Sequence, residues 1–298
     1  AMDTGAGSST IPNFDSGFPV DFAFSRDIDT VDNWYTFARL TGKGFMYMQG
    51  DGTESDSNDW AWDSNVGWQI GGTNWGSDKQ SWMFKRHAGF DCISYKGTGS
   101  FHDVPHSLGI KPEMVWVKRR DTASTPWLVS HKGLNGGTNY MHYYIKLNEY
   151  EAEVDGSSQG NKKFNTSSDH TATHIAIGND SSWTNASGGE YLCMAFASVD
   201  GISKVGYYDG SDSEQTITTG FSPRFVVIKC TSQSGDGWYV MDTLRGWGSG
   251  NDQYIALDSN AAQAAYDMGA PISTGFTIPG NRGDINDAGQ KYIYYAHA

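Results

Sequence analysis

Short β-prone apolar runs recur along this chain, separated by glycine turns and polar bends, the pattern of strands joined by tight connections. Three segments open alike: Gly17-Phe18-Pro19 before Val20–Phe24, Gly109-Ile110-Lys111-Pro112 before Met114–Lys118, and Gly220-Phe221-Ser222-Pro223 before Phe225–Lys229. Fifteen residues after each proline stands a tryptophan: Trp34, Trp127 and Trp238. A polar bend precedes each tryptophan and a second apolar run follows it, at Tyr35-Thr36-Phe37, Leu128-Val129-Ser130 and Tyr239-Val240-Met241. This order predicts a hairpin in each segment.

The closing runs also correspond. They read Trp82 to Ala88, Tyr191 to Ala197 and Tyr292 to Ala298, an alignment that puts His87 and His297 at one position with Phe196 between them. A position that accepts His or Phe reads as packing near a sheet edge. Strand-like segments fall at 173–178 and 275–279, and the alanine-rich 260–268 stretch predicts a short helix capped by Asn260.

The chain therefore reads as a three-fold internal repeat of units about a hundred residues long. The expected fold class is all-β, with three related sandwich-like repeats at 15–99, 100–207 and 208–298. These either stand apart or pack with pseudo-three-fold symmetry round a shared core. Residues 1–14 read as a loose leader that begins with a cloning remnant, and the last repeat as ending at a natural C-terminus.

Composition supports this reading. Aromatic residues make up 14% and glycines number 37, as suits strands and turns, whereas charged residues are only 18%. With 21 basic against 34 acidic residues and a net charge of −13, no nucleic-acid surface is expected. No run approaches the length of a membrane span, so no membrane insertion is expected. Cys92, Cys193 and Cys230 are widely spaced and odd in number, which reads as three small buried hydrophobes.

Motifs for catalysis are absent: no nucleophile elbow, no P-loop and no zinc-protease signature. The pairs His102/His106 and His170/His174 lie in loop- or strand-like sequence and read as solvated. Glu149, Glu151, Glu153 and Asp155 alternate, which on a strand puts all four on one side, a charged edge unless a cation or basic side chain meets it. The acidic 51–63 stretch offers a candidate calcium loop, yet Asp56 and Trp62 stand where an EF-hand needs Gly and Glu. No other cofactor is expected.

The strongest candidate chemistry is aromatic. Trp60, Trp62, Trp68 and Trp75 crowd a glycine- and asparagine-rich stretch that also holds Asp59 and Asn74, and Trp183 and Trp247 lie in loop-like sequence. Tryptophans in such backbone read as a ligand platform. The ring supplies contact area at low entropic cost, and neighbouring amides or acids orient a sugar. Packing on a sheet is the alternative.

The repeat resembles a module of tailed-bacteriophage tail fibre and receptor-binding proteins. The likeness is carried by Gly220-Phe221-Ser222-Pro223 with its strand ending at Lys229, by Gly237-Trp238-Tyr239-Val240, and by the close Asn286-Asp287-Ala288-Gly289-Gln290-Lys291-Tyr292-Ile293-Tyr294. The second copy repeats the close as Asn185-Ala186-Ser187-Gly188-Gly189-Glu190-Tyr191; the first lacks it. The resemblance implies a virion location in the phage tail, host cell-surface polysaccharide and other tail proteins as partners, and a monomer or trimer. It transfers no catalytic residue. The implied function is non-catalytic attachment to a host glycan; the alternatives are a capsule or lipopolysaccharide depolymerase and a structural appendage.

Overall fold

The computed structural model describes residues 1–5, 12–70, 79–280 and 282–298. The period-two runs build three six-stranded antiparallel sheets, and their strand order is the same. Sheet one runs Met2–Gly5, Lys79–Phe84, Phe22–Asp27, Tyr35–Ala38, Gly44–Tyr47, Ser55–Asp56. Sheet two runs Phe90–Lys96, Glu190–Phe196, Met114–Arg119, Leu128–His131, Tyr143–Lys146, Val154–Asp155. Sheet three runs Ser203–Asp209, Lys291–His297, Phe225–Cys230, Trp238–Asp242, Asp252–Ala256, Ala264–Tyr266. The three expected hairpins are present, and each closing strand lies beside the first strand of its hairpin.

Side chains alternate between two interiors, as the pleat requires. Phe22, Phe24, Met114, Trp116, Phe225 and Val227 point into one cluster shared by all three sheets. Phe24 lies 6.4 Å from Phe225, and Phe196 lies 5.0 Å from Tyr295, so the sheets meet through their aromatic rings. The intervening Ala23, Val115 and Val226 point outward into three separate clusters. A small sheet covers each outer face: Phe14–Asp15, Gly67–Ile70 and Trp60–Ala61 on the first; His102–Pro105 and His174–Ile177 on the second; Gln215–Thr218, Gly275–Ile278 and Pro271–Ile272 on the third. The molecule is thus all-β and sandwich-like, with the large sheets backing onto one shared interior.

Trp34, Trp127 and Trp238 tie that interior together. Each is buried, and each donates its indole N–H to a carbonyl of another sheet: Trp34 to Ala256 at 2.8 Å, Trp127 to Tyr47 at 3.0 Å, Trp238 to Lys146 at 2.8 Å. The bonds run sheet one to three, two to one and three to two, a closed ring.

Arg26, Lys118 and Lys229 occupy one register position, four residues into the hairpin strand, and all are buried. Each cation binds carbonyls of the bend that follows. Arg26 reaches Thr30 O at 3.0 Å, Lys118 reaches Thr125 O at 2.6 Å, and Lys229 reaches Asp236 O at 2.5 Å. The lysine that ends the motif strand is therefore a fastener for otherwise unpaired backbone oxygens. Burial lowers the Lys118 ammonium to about 8.

Several expectations change. Met2–Gly5 is a strand paired with residues 79–82, so the start of the chain is built into sheet one. Sheet two starts at Phe90 and sheet three at Ser203, upstream of the repeat boundaries read at 100 and 208. Register sets His297 level with Phe84 and Phe196, whereas His87 lies three residues beyond in a connector. The first copy lacks the Asn-Gly turn that anchors the other two, and without it the alignment slipped. Within the alanine-rich stretch, Ala264–Tyr266 is an edge strand, because pairing with Asp252–Tyr254 outweighs alanine's helix preference. The 149–153 stretch is a bend. Lys146 meets Glu149 at 2.7 Å and Glu151 at 3.1 Å, while Glu153 accepts the Asn135 N–H at 2.8 Å, so the acids fold round donors.

His131 sits at the junction of sheets two and three. Its Nε2–H donates to Tyr294 O at 3.3 Å, and Nδ1 accepts the Gly133 N–H at 2.9 Å. Burial holds this imidazole neutral, at about 3 against an ordinary 6.5. The unfolded chain therefore takes up a proton between those values that the folded chain refuses, and stability falls as pH falls through the window. From pH 7 to 5 this residue is expected to remove about 2 kcal/mol. Urea midpoints of the parent and His131→Gln at both pH values check this; an equal loss in both would refute it.

Candidate functional site

The tryptophans proposed as a ligand platform fall into two groups. Trp60, Trp68 and Trp247 are buried at 8%, 0% and 3% exposure, so their rings belong to the outer cores. Trp60 donates to Gly42 O at 3.0 Å and packs 5.0 Å from Phe37; Trp68 donates to Ser81 Oγ at 3.0 Å. Trp247 packs 6.0 Å from Phe276. As a surface platform these three are corrected. The glycine-rich backbone around them forms the short covering strands, and close approach is what glycine permits there. A Cβ at Gly67 would stand 2.0 Å from Phe14 O.

Trp62 and Trp183 are half-buried. Trp62 stacks on Trp68 at 5.2 Å and donates to Gly42 O at 3.1 Å, with Arg39 5.6 Å from its ring. Trp183 lies under Lys163 at 4.2 Å, in a turn whose amides bond Asp180. Asp59 accepts the Ser57 hydroxyl at 2.6 Å. Asn74 and Trp75 lie outside the described residues. Trp60, Trp62 and Trp68 pack with the outer cluster of sheet one, Trp183 with that of sheet two and Trp247 with that of sheet three, so the fold does not gather these five into one site.

Among the described residues no group of three or more His, Cys, Asp or Glu side chains could hold a metal ion, and the 51–63 acids converge on none. The three cysteines are free and buried. Among the described residues no helix is long and apolar enough to cross a membrane.

The better-formed site lies on sheet two. The connection that follows the hairpin spans 39–43 in sheet one, 243–251 in sheet three and 132–142 in sheet two. The last holds two 3-10 turns, Leu134–Gly137 and Tyr140–His142, with Asn135 and Asn139 in left-handed backbone at φ 51°. Against it lies the long 156–173 connection, and between them opens a cavity of about 370 Å³ lined by Asn139, Tyr140, His142, Thr166, Ser167 and Asp169, among others. The Tyr140 hydroxyl donates to one Asp169 oxygen, and Lys111 binds the other. The Lys111 ammonium also stands 5.5 Å from the Tyr140 ring centre. Burial alone would raise the Asp169 carboxyl, but Lys111 and Tyr140 hold it below its ordinary value. His142 Nε2 meets Thr166 O at 3.2 Å, linking the two connections. Sequence reasoning passed over these residues because none belongs to a motif. The available signal was length: the second copy carries its extra residues here.

A second opening, of about 260 Å³, lies at the junction of sheets three and one, among Ala1, Phe18, Phe84, Arg224, His297 and others. There the Ala1 amine donates to Met83 O at 2.9 Å, and its burial and Arg224 lower it to about 5.

The chain is thus all-β, with three covered sheets and a polar cavity between two connections of sheet two. The chain belongs to the family described as a domain of unknown function, DUF7483, whose model matches residues 38–298. No curated protein and no solved structure matches it.

Proposed function

We propose that this chain is a non-catalytic recognition domain that attaches a tailed-phage virion to a host cell-surface glycan, alongside other tail proteins. The observation that carries the reading is the open polar cavity between the 132–142 and 156–173 connections of sheet two, which give Leu134, Met141 and Phe164 to the cores and turn Asn139, Thr166 and Ser167 to the cavity. The tail-fibre resemblance of the motif strands supports the virion setting, as an analogy of sequence rather than of site.

Adsorption competition tests it. Purified protein is expected to reduce phage adsorption to host cells, and a variant carrying Thr166→Ala with Ser167→Ala, cavity residues that belong to neither neighbouring core, is expected to lose much of that effect while still unfolding cooperatively. No competition by the parent protein would overturn the reading. A second reading, a structural appendage without glycan binding, draws on the burial of Trp60, Trp68 and Trp247. It predicts that failure.

A further inference from the structure

We infer that the cavity on sheet two binds one uncharged pyranose unit, an assignment of site and ligand class that rests on the glycan reading above. Three observations carry it.

The first is charge. Asp169, the carboxylate that faces the cavity, is bound by Lys111 and by the Tyr140 hydroxyl, so the wall presents a closed ion pair rather than an open charge. An anionic ligand would meet the Asp169 charge as well as Lys111; an uncharged polyol meets no such repulsion.

The second is the set of polar groups left over. The Asn139 side-chain amide, the Thr166 and Ser167 hydroxyls and His142 Nδ1 make no hydrogen bond among the described residues, and all four residues line the cavity. Together they offer donors and acceptors in mixed order, as the vicinal hydroxyls of a sugar ring require. Tyr140 adds a half-buried aromatic ring that packs on the cores behind it, has Lys111 5.5 Å from its centre, and lines the cavity with what remains exposed.

The third is backbone conformation. Asn139 is held at φ 51°, a left-handed conformation that asparagine adopts more readily than most side-chain-bearing residues. The connection, longer than its counterparts 39–43 and 243–251, keeps it in the lining of the cavity.

The test is saturation-transfer NMR and calorimetric titration of the whole chain with glucose, galactose, N-acetylglucosamine and glucuronic acid. At least one neutral sugar is expected to bind, and glucuronic acid more weakly. Tyr140→Ala is expected to weaken that binding about tenfold and Tyr140→Phe much less. Asn139→Gly, which removes the amide while suiting the left-handed backbone, should weaken it with the unfolding midpoint retained, and it decides the matter should Tyr140→Ala not fold. The inference is overturned if no neutral sugar binds, if glucuronic acid binds best, or if folded Asn139→Gly binds as the parent does. Sugar binding without adsorption competition would overturn the attachment reading alone. Competition without sugar binding in the cavity would overturn this site alone.

Discussion

Asp242→Ala is expected to cost about 3–5 kcal/mol, the usual result of stripping a buried charge of its partner. Asp242 and Arg245 are among the most enclosed ionic groups in the molecule, with side-chain exposures of 0% and 2%. The carboxylate accepts from Arg245 Nε at 2.7 Å and from the Arg245 amide at 3.0 Å. It also crosses to sheet one, accepting from Trp82 Nε1 at 3.1 Å and from Gln80 Nε2 at 3.2 Å. Alanine would leave the guanidinium without its counter-charge, held only by Val240 O at 2.9 Å, and three further donors without their acceptor. The double change Asp242→Ala with Arg245→Met removes the stranded charge and should recover much of the loss. Urea unfolding of the three proteins separates the terms. A double variant no more stable than the single one would show that the cost is cavity and not charge.

The second large effect is expected at the tryptophan ring. Trp127→Ala should cost about 3–5 kcal/mol, since a fully buried indole leaves a void that the shared core cannot close. Trp127→Phe keeps most of the apolar body and loses the bond to Tyr47 O, which keeps the Gly50 N–H at 3.3 Å, so the lost bond is expected to account for about 1 kcal/mol. Denaturant unfolding followed by both tryptophan fluorescence and circular dichroism is the measurement. If sheets one and two are coupled as the hydrogen bond implies, both signals move together in each variant. A Trp127→Ala protein within about 0.5 kcal/mol of the parent, the range of surface substitutions, would show that the ring is dispensable.

The strands were legible because they are local: a proline, a run of β-formers and a tryptophan at fixed spacing suffice to place Met114–Arg119 or Phe225–Cys230. The burial of Lys118 and Lys229 was not, since a lysine after a strand reads equally well as a solvated end until the bend folds back to offer its carbonyls. Trp60 and Trp68 were misjudged for a related reason. Glycine and asparagine around them describe a poor core only while the chain is considered alone, and Gly67 lets two covering strands come close to one another over the rings.

The sequence by itself determined what depends on neighbours along the chain: which stretches are strands and where the hairpins turn. The tertiary structure alone decided that the inner faces pack on one another, that three indoles close a ring across the sheets, and that Asn139, Tyr140, Thr166 and Asp169 come to line one cavity. Those outcomes rest on contacts between residues far apart in the chain. Each apolar face must be buried against some other surface, and the chain's linear pattern does not say which surface that will be.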